Sequence, residues 1–167
     1  MTCALAAALG FAVAGAAEGP ALPEIAMQQG DLTLSVKAAK IAGVVNVLEG
    51  CGPFTVFAPV DCAWAGLTKP TQEELLNPCN KIKLMRILAY HTVSARQNLS
   101  DFENSKCCPI VLKTLSGGTL TISKKGSDWY VDGAKILGEG IPAKNGVLFK
   151  IDKVLIPPGM RVEQRAE

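Results

Sequence analysis

The sequence predicts an α+β fold, in which helices precede a set of short antiparallel strands. In the first half of the chain, apolar residues recur at the three- and four-residue spacing of a helix, as they do from Leu34 to Leu48. In the second half, runs rich in β-branched residues alternate with turn dipeptides, of which Gly117-Gly118 and Asn145-Gly146 are the clearest. Helices followed by many short strands are typical of α+β domains.

Size and charge favour a single domain without a nucleic-acid partner. The chain has 167 residues, which is enough for one domain with a substantial core. Its 17 basic and 15 acidic residues leave a net charge of +2, too small to indicate nucleic-acid binding. We place the domain at residues 31–158, between a linker at 18–30 that contains Pro20 and Pro23 and a polar tail at 159–167.

Residues 1–17 form an apolar, alanine-rich segment that ends in the small-residue pattern Ala14-Gly15-Ala16. This pattern suits a signal-type peptidase, and the segment is shorter than the about 20 residues that cross a bilayer. Because no basic residue precedes it, four interpretations stay open: a secretory signal, the second part of a presequence for a thylakoid lumen, a retained membrane anchor, or a buried helix. We predict an extracytoplasmic protein, secreted, on the cell surface or in a thylakoid lumen, with membrane association if the segment is retained.

The first half divides into helices separated by proline and glycine. One helix is predicted from Asp31 to Leu48, followed by a buried strand at Phe54–Ala58. Asp61 is placed to cap the short helix after this strand, because its carboxylate can accept from the free amides of a first turn. The Thr71–Glu74 segment has the spacing of a capping box and starts another helix.

A further helix is predicted from Lys81 to about Tyr90, with Asn80 as its cap. Its basic residues alternate with apolar ones, as expected for a helix with one face in water. The inner face is predicted to comprise Leu84, Ile87, Leu88 and His91.

The second half has the alternating pattern of strands. The runs Ile110–Leu115 and Thr119–Ser123 flank Gly117-Gly118 and predict a hairpin, with a second turn at Lys124–Ser127. Further strands are predicted at Trp129–Val131, Ala134–Leu137 and Val147–Ile156.

Three segments of the chain resemble the fasciclin (FAS1) domain. They run from Phe54 to Trp64, from Ile87 to Val93 and from Ile141 to Pro158, and the likeness extends over most of the chain. The resemblance implies a β wedge of two mostly antiparallel sheets that carries a layer of short helices. It also implies a non-enzymatic adhesion and interaction module, of which this sequence contains one copy.

No segment has the residues of a catalytic site. His91 is the only histidine, so any Ser–His or Cys–His arrangement would need it. The resemblance implies that the Tyr90-His91 pair is mostly structural, with the imidazole packed near the core. It also implies a second role, because the region around this pair is linked to integrin binding in animal members, which makes Tyr90, His91, Ile87 and Leu88 binding candidates.

The segment around Asn145-Gly146 supplies two more binding candidates, Ile141 and Asn145. The family pattern has an aspartate before this isoleucine and a histidine after the turn, whereas this chain has Gly140 and Phe149. Both departures remove a polar group and weaken the case for integrin-type recognition. We predict that Phe149 fills the sheet interior, on the same face as its neighbours at alternate positions.

Trp129 and Tyr130 are adjacent on a predicted strand, so alternation turns one of them outward. An exposed aromatic residue at this place would be an interface anchor, and we keep both as binding candidates. The alternative is a core tryptophan beside a tyrosine at the rim.

Cysteine usage predicts two disulfides and one odd thiol if the protein is exported and Cys3 leaves with the leader. Bonding between adjacent cysteines is strained, so Cys79 is a predicted partner for one of the Cys107-Cys108 pair. The alternative is a set of reduced thiols, and the spacing fits no metal site. The disulfide candidates are Cys51, Cys62, Cys79, Cys107 and Cys108.

Asn98 begins an Asn-Leu-Ser triplet and is a candidate for N-glycosylation on a cell-surface protein. The functional prediction is a module that binds a protein partner, either a cell-surface or matrix protein, with glycan as a further partner, and that uses no cofactor and no small-molecule substrate. The alternative is a structural subunit docked on the lumenal or outer face of a membrane protein complex, such as a photosynthetic one. A small-ligand carrier is the third hypothesis, and a deep apolar pocket would favour it.

Overall fold

The protein is described by a computed structural model that covers residues 19–105 and 109–162. The predicted leader, Cys107, Cys108 and most of the predicted tail lie outside the described residues. The architecture confirms the predicted α+β wedge, since a strongly curved sheet carries a layer of short helices.

Strands in the described residues form one sheet with the order β2-β1-β7-β6-β5-β4-β3. The β1–β7 pair is parallel, and the other neighbours are antiparallel. The strands are β1 (Phe54–Pro59), β2 (Thr92–Val93), β3 (Ile110–Lys113), β4 (Thr119–Lys125), β5 (Asp128–Val131), β6 (Ala134–Ala143) and β7 (Gly146–Ile151).

The sheet folds over until its two edges nearly meet. Strand β6 changes register between Leu137 and Ile141, which bends the sheet about this strand. At the far edges, Val93 of β2 bridges Thr114 just after β3, and Leu115 N donates to Thr92 O at 2.8 Å. The two halves of the sheet thus face each other across a closed wedge.

Aromatic rings fill the inside of the wedge. The Phe57 and Phe149 rings stack with centroids 5.6 Å apart, and Phe102 lies 5.9 Å from both Phe149 and Trp129. The side chain of Phe149 is fully buried, as predicted from its alternation along β7. The neighbouring Leu148 points the other way, into the core beneath the helices.

Helices cover the outer face of the sheet half that contains β1, β2 and β7. A second apolar core lies in this layer, and it contains Trp64 and Leu84. None of the helices in the described ranges is long and apolar enough to cross a membrane. The helices are α1 (Leu22–Gln28), α2 (Thr33–Ala42), α3 (Val45–Glu49), α4 (Asp61–Ala65), α5 (Lys69–Leu76), α6 (Lys81–Tyr90) and α7 (Leu99–Asn104), with a 3-10 turn at Pro78–Asn80.

Two predictions of helical organisation are wrong. Residues 18–30 are not a simple linker, because α1 forms within them and buries Leu22 and Ile25. Its proline lies in the first turn, where the missing amide costs no hydrogen bond. The single helix predicted from 31 to 48 is divided into α2 and α3, because Gly43 takes a left-handed conformation with φ of 72° and ends α2.

The predicted helix caps are also corrected. Asp61 Oδ1 accepts from Leu34 N at 2.8 Å, so this carboxylate serves the first turn of α2 and not that of α4. Helix α5 begins at Lys69 without a side-chain cap, before the predicted capping box. Asn80 precedes α6, but its Nδ2 donates to Glu74 O at 2.8 Å instead of capping that helix.

Strand boundaries differ from the prediction at three places. The β3–β4 hairpin has a longer loop than two residues, closed by a bond from Thr114 N to Gly118 O at 2.9 Å. Lys124 and Lys125 belong to β4, so the second turn comes later than expected. Strand β6 continues to Ala143, and β7 ends at Ile151 rather than at Ile156.

Candidate interaction surface

His91 is buried at the end of α6 and bonded by both ring nitrogens. Nδ1 lies 2.8 Å from Ile87 O, and Nε2 lies 2.9 Å from Leu155 N. Since a carbonyl only accepts and an amide only donates, the ring is neutral, with its proton on Nδ1. Burial lowers the pKa of His91 to about 4. The imidazole is therefore a structural bridge, as the resemblance implies, and does not reach an external partner.

The Tyr90 side chain ties α6 to the turn after β5. Its hydroxyl lies 2.7 Å from Asp132 Oδ2 and 2.9 Å from Thr119 O. Burial, the hydrogen bond to Asp132 and the charge of that carboxylate raise the pKa of Tyr90. Asp132 is fixed in turn, since its Oδ1 accepts from Thr121 N at 3.0 Å. This predicted binding residue is thus engaged within the fold.

The other two candidates of α6 also face the protein interior. Ile87 is fully buried, and Leu88 is half-buried against the helix-side core. Leu88 O accepts from Thr92 Oγ1 at 3.0 Å, which fixes the exit of α6 into β2. Both side chains thus contribute to the packing of the protein interior.

Asn145 joins the β6–β7 turn to the first helices. Its Nδ2 donates to Gly50 O at 3.0 Å and also to Leu48 O, while its Oδ1 accepts from Leu22 N at 3.1 Å. Ile141 is half-buried against the helix-side core. Both candidates of this segment therefore contribute to packing and not to an exposed site.

Gly140 and Phe149, the two departures from the family pattern, lie against each other. A Cβ atom at position 140 would be 2.6 Å from Val147 Cγ1 and 2.8 Å from the Phe149 ring. The large ring thus occupies the space that a side chain at position 140 would need. The two departures are coupled by this contact.

The adjacent aromatic residues of β5 separate as alternation requires. Trp129 is buried in the wedge, whereas Tyr130 is half-buried and faces outward. The Nζ of Lys125 lies 5.3 Å from the centroid of the Tyr130 ring. Of the eight predicted binding residues, Tyr130 is the one whose ring lies on the outer surface of the sheet, so the structure does not bring the eight together.

Tyr130 belongs to an outer sheet surface that carries no helix of the described residues comparable to those on β1, β2 and β7. Thr121 pairs with Val111, and Ser123 pairs with Tyr130, so these side chains share one face. Strand spacing puts Val111 and Tyr130 about 12 Å apart. We name this surface the β3–β5 face, and it comprises Val111, Lys113, Thr121, Ser123 and Tyr130.

The sequence predictions missed several apolar residues that are exposed on the surface. Val111, on the β3–β5 face, is 60% exposed, and Leu115 lies close by in the hairpin loop. Ile82 and Met85 are exposed on the outer side of α6, where Ile82 is 76% exposed. Alternation of Val111 with its inward neighbours could have identified it as an outward apolar residue.

The structure gives no support to a disulfide among the described cysteines. Cys51, Cys62 and Cys79 are exposed free thiols. The two predicted bridges stay a prediction, because Cys107 and Cys108, one of which is the expected partner of Cys79, lie outside the described residues. Asn98 is exposed and forms a capping box with Asp101 at the start of α7, and its glycosylation stays a prediction.

Within residues 19–105 and 109–162, no group of three His, Cys, Asp or Glu side chains could hold a metal ion.

Comparisons of the sequence with known proteins agree on one family. The family profile described as "Fasciclin domain" matches residues 30–157. Protein sll1483 of Synechocystis sp. is 36% identical over 148 residues, which are 87% of this chain and 79% of that protein. The cell surface glycolipoprotein MPB83 of Mycobacterium bovis is 30% identical over 125 residues, which are 75% of this chain and 53% of that protein.

A solved structure shares the fold. It is the FAS1 domain pair from the insect cell adhesion molecule fasciclin I, with a TM-score of 0.72 and 15% identity. The match covers 83% of this chain and 51% of that chain. The present chain thus spans about half the length of the insect domain pair and of the mycobacterial protein.

Proposed function

The chain belongs to the fasciclin domain family, and we propose that it is a non-enzymatic interaction module that docks a protein partner on its β3–β5 face. The family relationship confirms the resemblance of the three sequence segments. It supports a binding role, because the related insect protein is a cell adhesion molecule.

The outward position of Val111 and Tyr130 on an uncovered sheet face carries this proposal. Helices bury the outer side of β1, β2 and β7, and aromatic rings fill the wedge. Both of these sheet surfaces are therefore covered by residues of the chain itself. On the β3–β5 face, an aromatic ring and a 60% exposed valine are separated by small hydroxyl side chains. An apolar centre with a polar surround is the usual composition of a protein interface.

Charges at the rim indicate the kind of partner. Lys113 is exposed, Lys125 lies over the Tyr130 ring, and Lys135 pairs with Asp128 at 2.9 Å. This basic excess favours a partner whose contact surface is apolar with acidic residues at its edge.

We place this interaction outside the cytoplasm. One support is the apolar leader-like segment at residues 1–17, and another is the printed description of MPB83 as a cell surface glycolipoprotein. Secretion, display on a cell surface and residence in a thylakoid lumen all agree with these supports.

Co-purification from native membranes and from the soluble extracytoplasmic fraction, followed by mass spectrometry, tests the proposal. The variants Val111→Lys and Tyr130→Ala should reduce recovery of the partner at least tenfold while unfolding temperatures change by only a few degrees. The matched control is Ile82→Lys, which changes an exposed apolar residue on α6 and should leave recovery unchanged.

Two outcomes contradict the docking face. One is full recovery of partners with both β3–β5 variants, and the other is loss of partners only with Ile82→Lys. A partner recovered at a fixed ratio together with membrane subunits would assign the chain to the structural-subunit alternative. A weakly held partner in the soluble fraction would assign it to the adhesion class.

A further inference from the structure

A narrow apolar cleft lies between α1, α2 and the helix-covered face of β1 and β7. It encloses ≈ 70 Å³ of space large enough for water. Its walls include Pro23 of α1, Val36 and Ala39 of α2, and Leu148 of β7. This space corresponds to about five water molecules.

Polar groups in the wall of the cleft are engaged by the protein itself. Ser35 Oγ donates to a carbonyl of β1 and accepts from Trp64 Nε1 at 3.0 Å. Thr92 Oγ1 donates to Leu88 O, and both ring nitrogens of His91 are bonded. A polar ligand would therefore lose its hydrogen bonds to water without replacement, whereas a hydrocarbon chain would lose none.

The mouth of the cleft is basic. Lys40 lines both the cleft and an adjoining hollow of ≈ 360 Å³ along α1 and α2. Lys37, one turn earlier, also lines the hollow. Both lysines are exposed, and neither takes part in the ion pairs formed between described residues. Two such cations beside an apolar cleft are complementary to an anionic group on a hydrocarbon chain.

We propose that this cleft binds a fatty acid, with its aliphatic chain between α1 and α2 and its carboxylate at Lys37 and Lys40. The small volume of the cleft favours a free fatty acid with one chain over a phospholipid with two chains. Since the cleft lies in the helical layer and the β3–β5 face lies on the opposite half of the sheet, fatty-acid binding is independent of the proposed protein docking.

Calorimetric titration of the purified chain with decanoate tests this site. We expect a one-to-one complex with decanoate and at least tenfold weaker binding of decylamine, whose head group has the opposite charge. Lys40→Glu should weaken decanoate binding about tenfold and strengthen decylamine binding, a reversal that a merely structural change would not produce. Ala39→Leu should weaken both ligands, because the added methyl groups occupy the cleft.

Lys113→Glu is the matched control, since it reverses an exposed lysine on the β3–β5 face, and it should leave both affinities unchanged. Three results would overturn the proposal: no decanoate binding up to its solubility limit, equal affinity for decanoate and decylamine, or binding that Lys40→Glu and Ala39→Leu leave unchanged. Binding to phosphatidylglycerol vesicles without binding to decanoate would assign the basic mouth to a membrane surface and would also overturn the fatty-acid site.

Discussion

At the residue scale, the histidine that any catalytic reading of the sequence would need is instead a bridge between two backbone segments. His91 joins the last turn of α6 to Leu155, which follows β7. The Tyr90 hydroxyl makes a second connection, to Asp132 in the turn after β5. Both side chains therefore stabilise the contact between the helical layer and the wedge. The Tyr90-His91 pair, which the sequence resemblance made a binding candidate, is thus hydrogen-bonded within the fold.

The buried histidine predicts a pH dependence of stability. Its pKa is about 4 in the fold and about 6.5 when unfolded, so the unfolded chain binds more protons between these values. Stability is therefore complete above pH 6.5 and falls as the pH drops toward 4. We expect the free energy of unfolding to decrease by about 2 kcal/mol from pH 7 to pH 5. Urea unfolding at several pH values measures this.

The variant His91→Gln supplies the control for this pH effect. Because the chain has one histidine, its removal should flatten the dependence above pH 5, where most carboxylates remain ionised. His91→Ala should also lower the unfolding temperature, since it leaves a buried amide without an acceptor. An unchanged melt for His91→Ala would show that the bridge contributes nothing.

The Gly140–Phe149 contact predicts a coupling between two substitutions. Gly140→Ala should destabilise the fold by about 1–3 kcal/mol, because its Cβ would meet Val147 and Phe149 below contact distance. In a Phe149→Leu background the same change should cost clearly less, since the smaller side chain leaves room. A double-mutant cycle in urea measures the coupling, and strict additivity would contradict the steric account.

At the element scale, local patterns in the sequence predict the type of most helices and strands, whereas tertiary contacts set many of their ends. The inner face of α6 and the interior position of Phe149 follow from periodicity alone. Asp61 caps α2 across 27 positions of the chain, which no local capping rule could indicate. Helix α1 was missed because it has only seven residues and depends on packing against its neighbours.

The β6–β7 turn holds α1 in place, and this predicts a local loss of stability on substitution. Asn145→Ala removes the acceptor of Leu22 N and the donor to Gly50 O, and should lower the free energy of unfolding by about 2 kcal/mol. Amide hydrogen exchange should accelerate first in α1. Asn46→Ala, at an exposed position of α3, is the control, and equal exchange in both variants would exclude an anchoring role.

At the scale of the whole molecule, the fold has three sheet surfaces that differ in whether other parts of the chain cover them. The inside of the wedge is filled by aromatic rings, and the outer side of β1 and β7 is covered by helices. The β3–β5 face is neither filled nor covered. The sequence could not predict this distribution, because β7 is apolar at successive positions, with Val147 and Phe149 in the inner core and Leu148 between them in the outer core. Alternation did predict that one of the adjacent residues Trp129 and Tyr130 points outward, and the structure shows that it is Tyr130.

Site-specific photocrosslinking from the β3–β5 face in cells shows whether a protein partner docks on this face. The substitution Tyr130→p-benzoylphenylalanine places the reactive ring where a docked partner would lie, and Ile82→p-benzoylphenylalanine places the same group on the outer side of α6. We expect a defined protein adduct from position 130 and none from position 82. Adducts from position 82 alone, or from neither position, would contradict docking on the β3–β5 face.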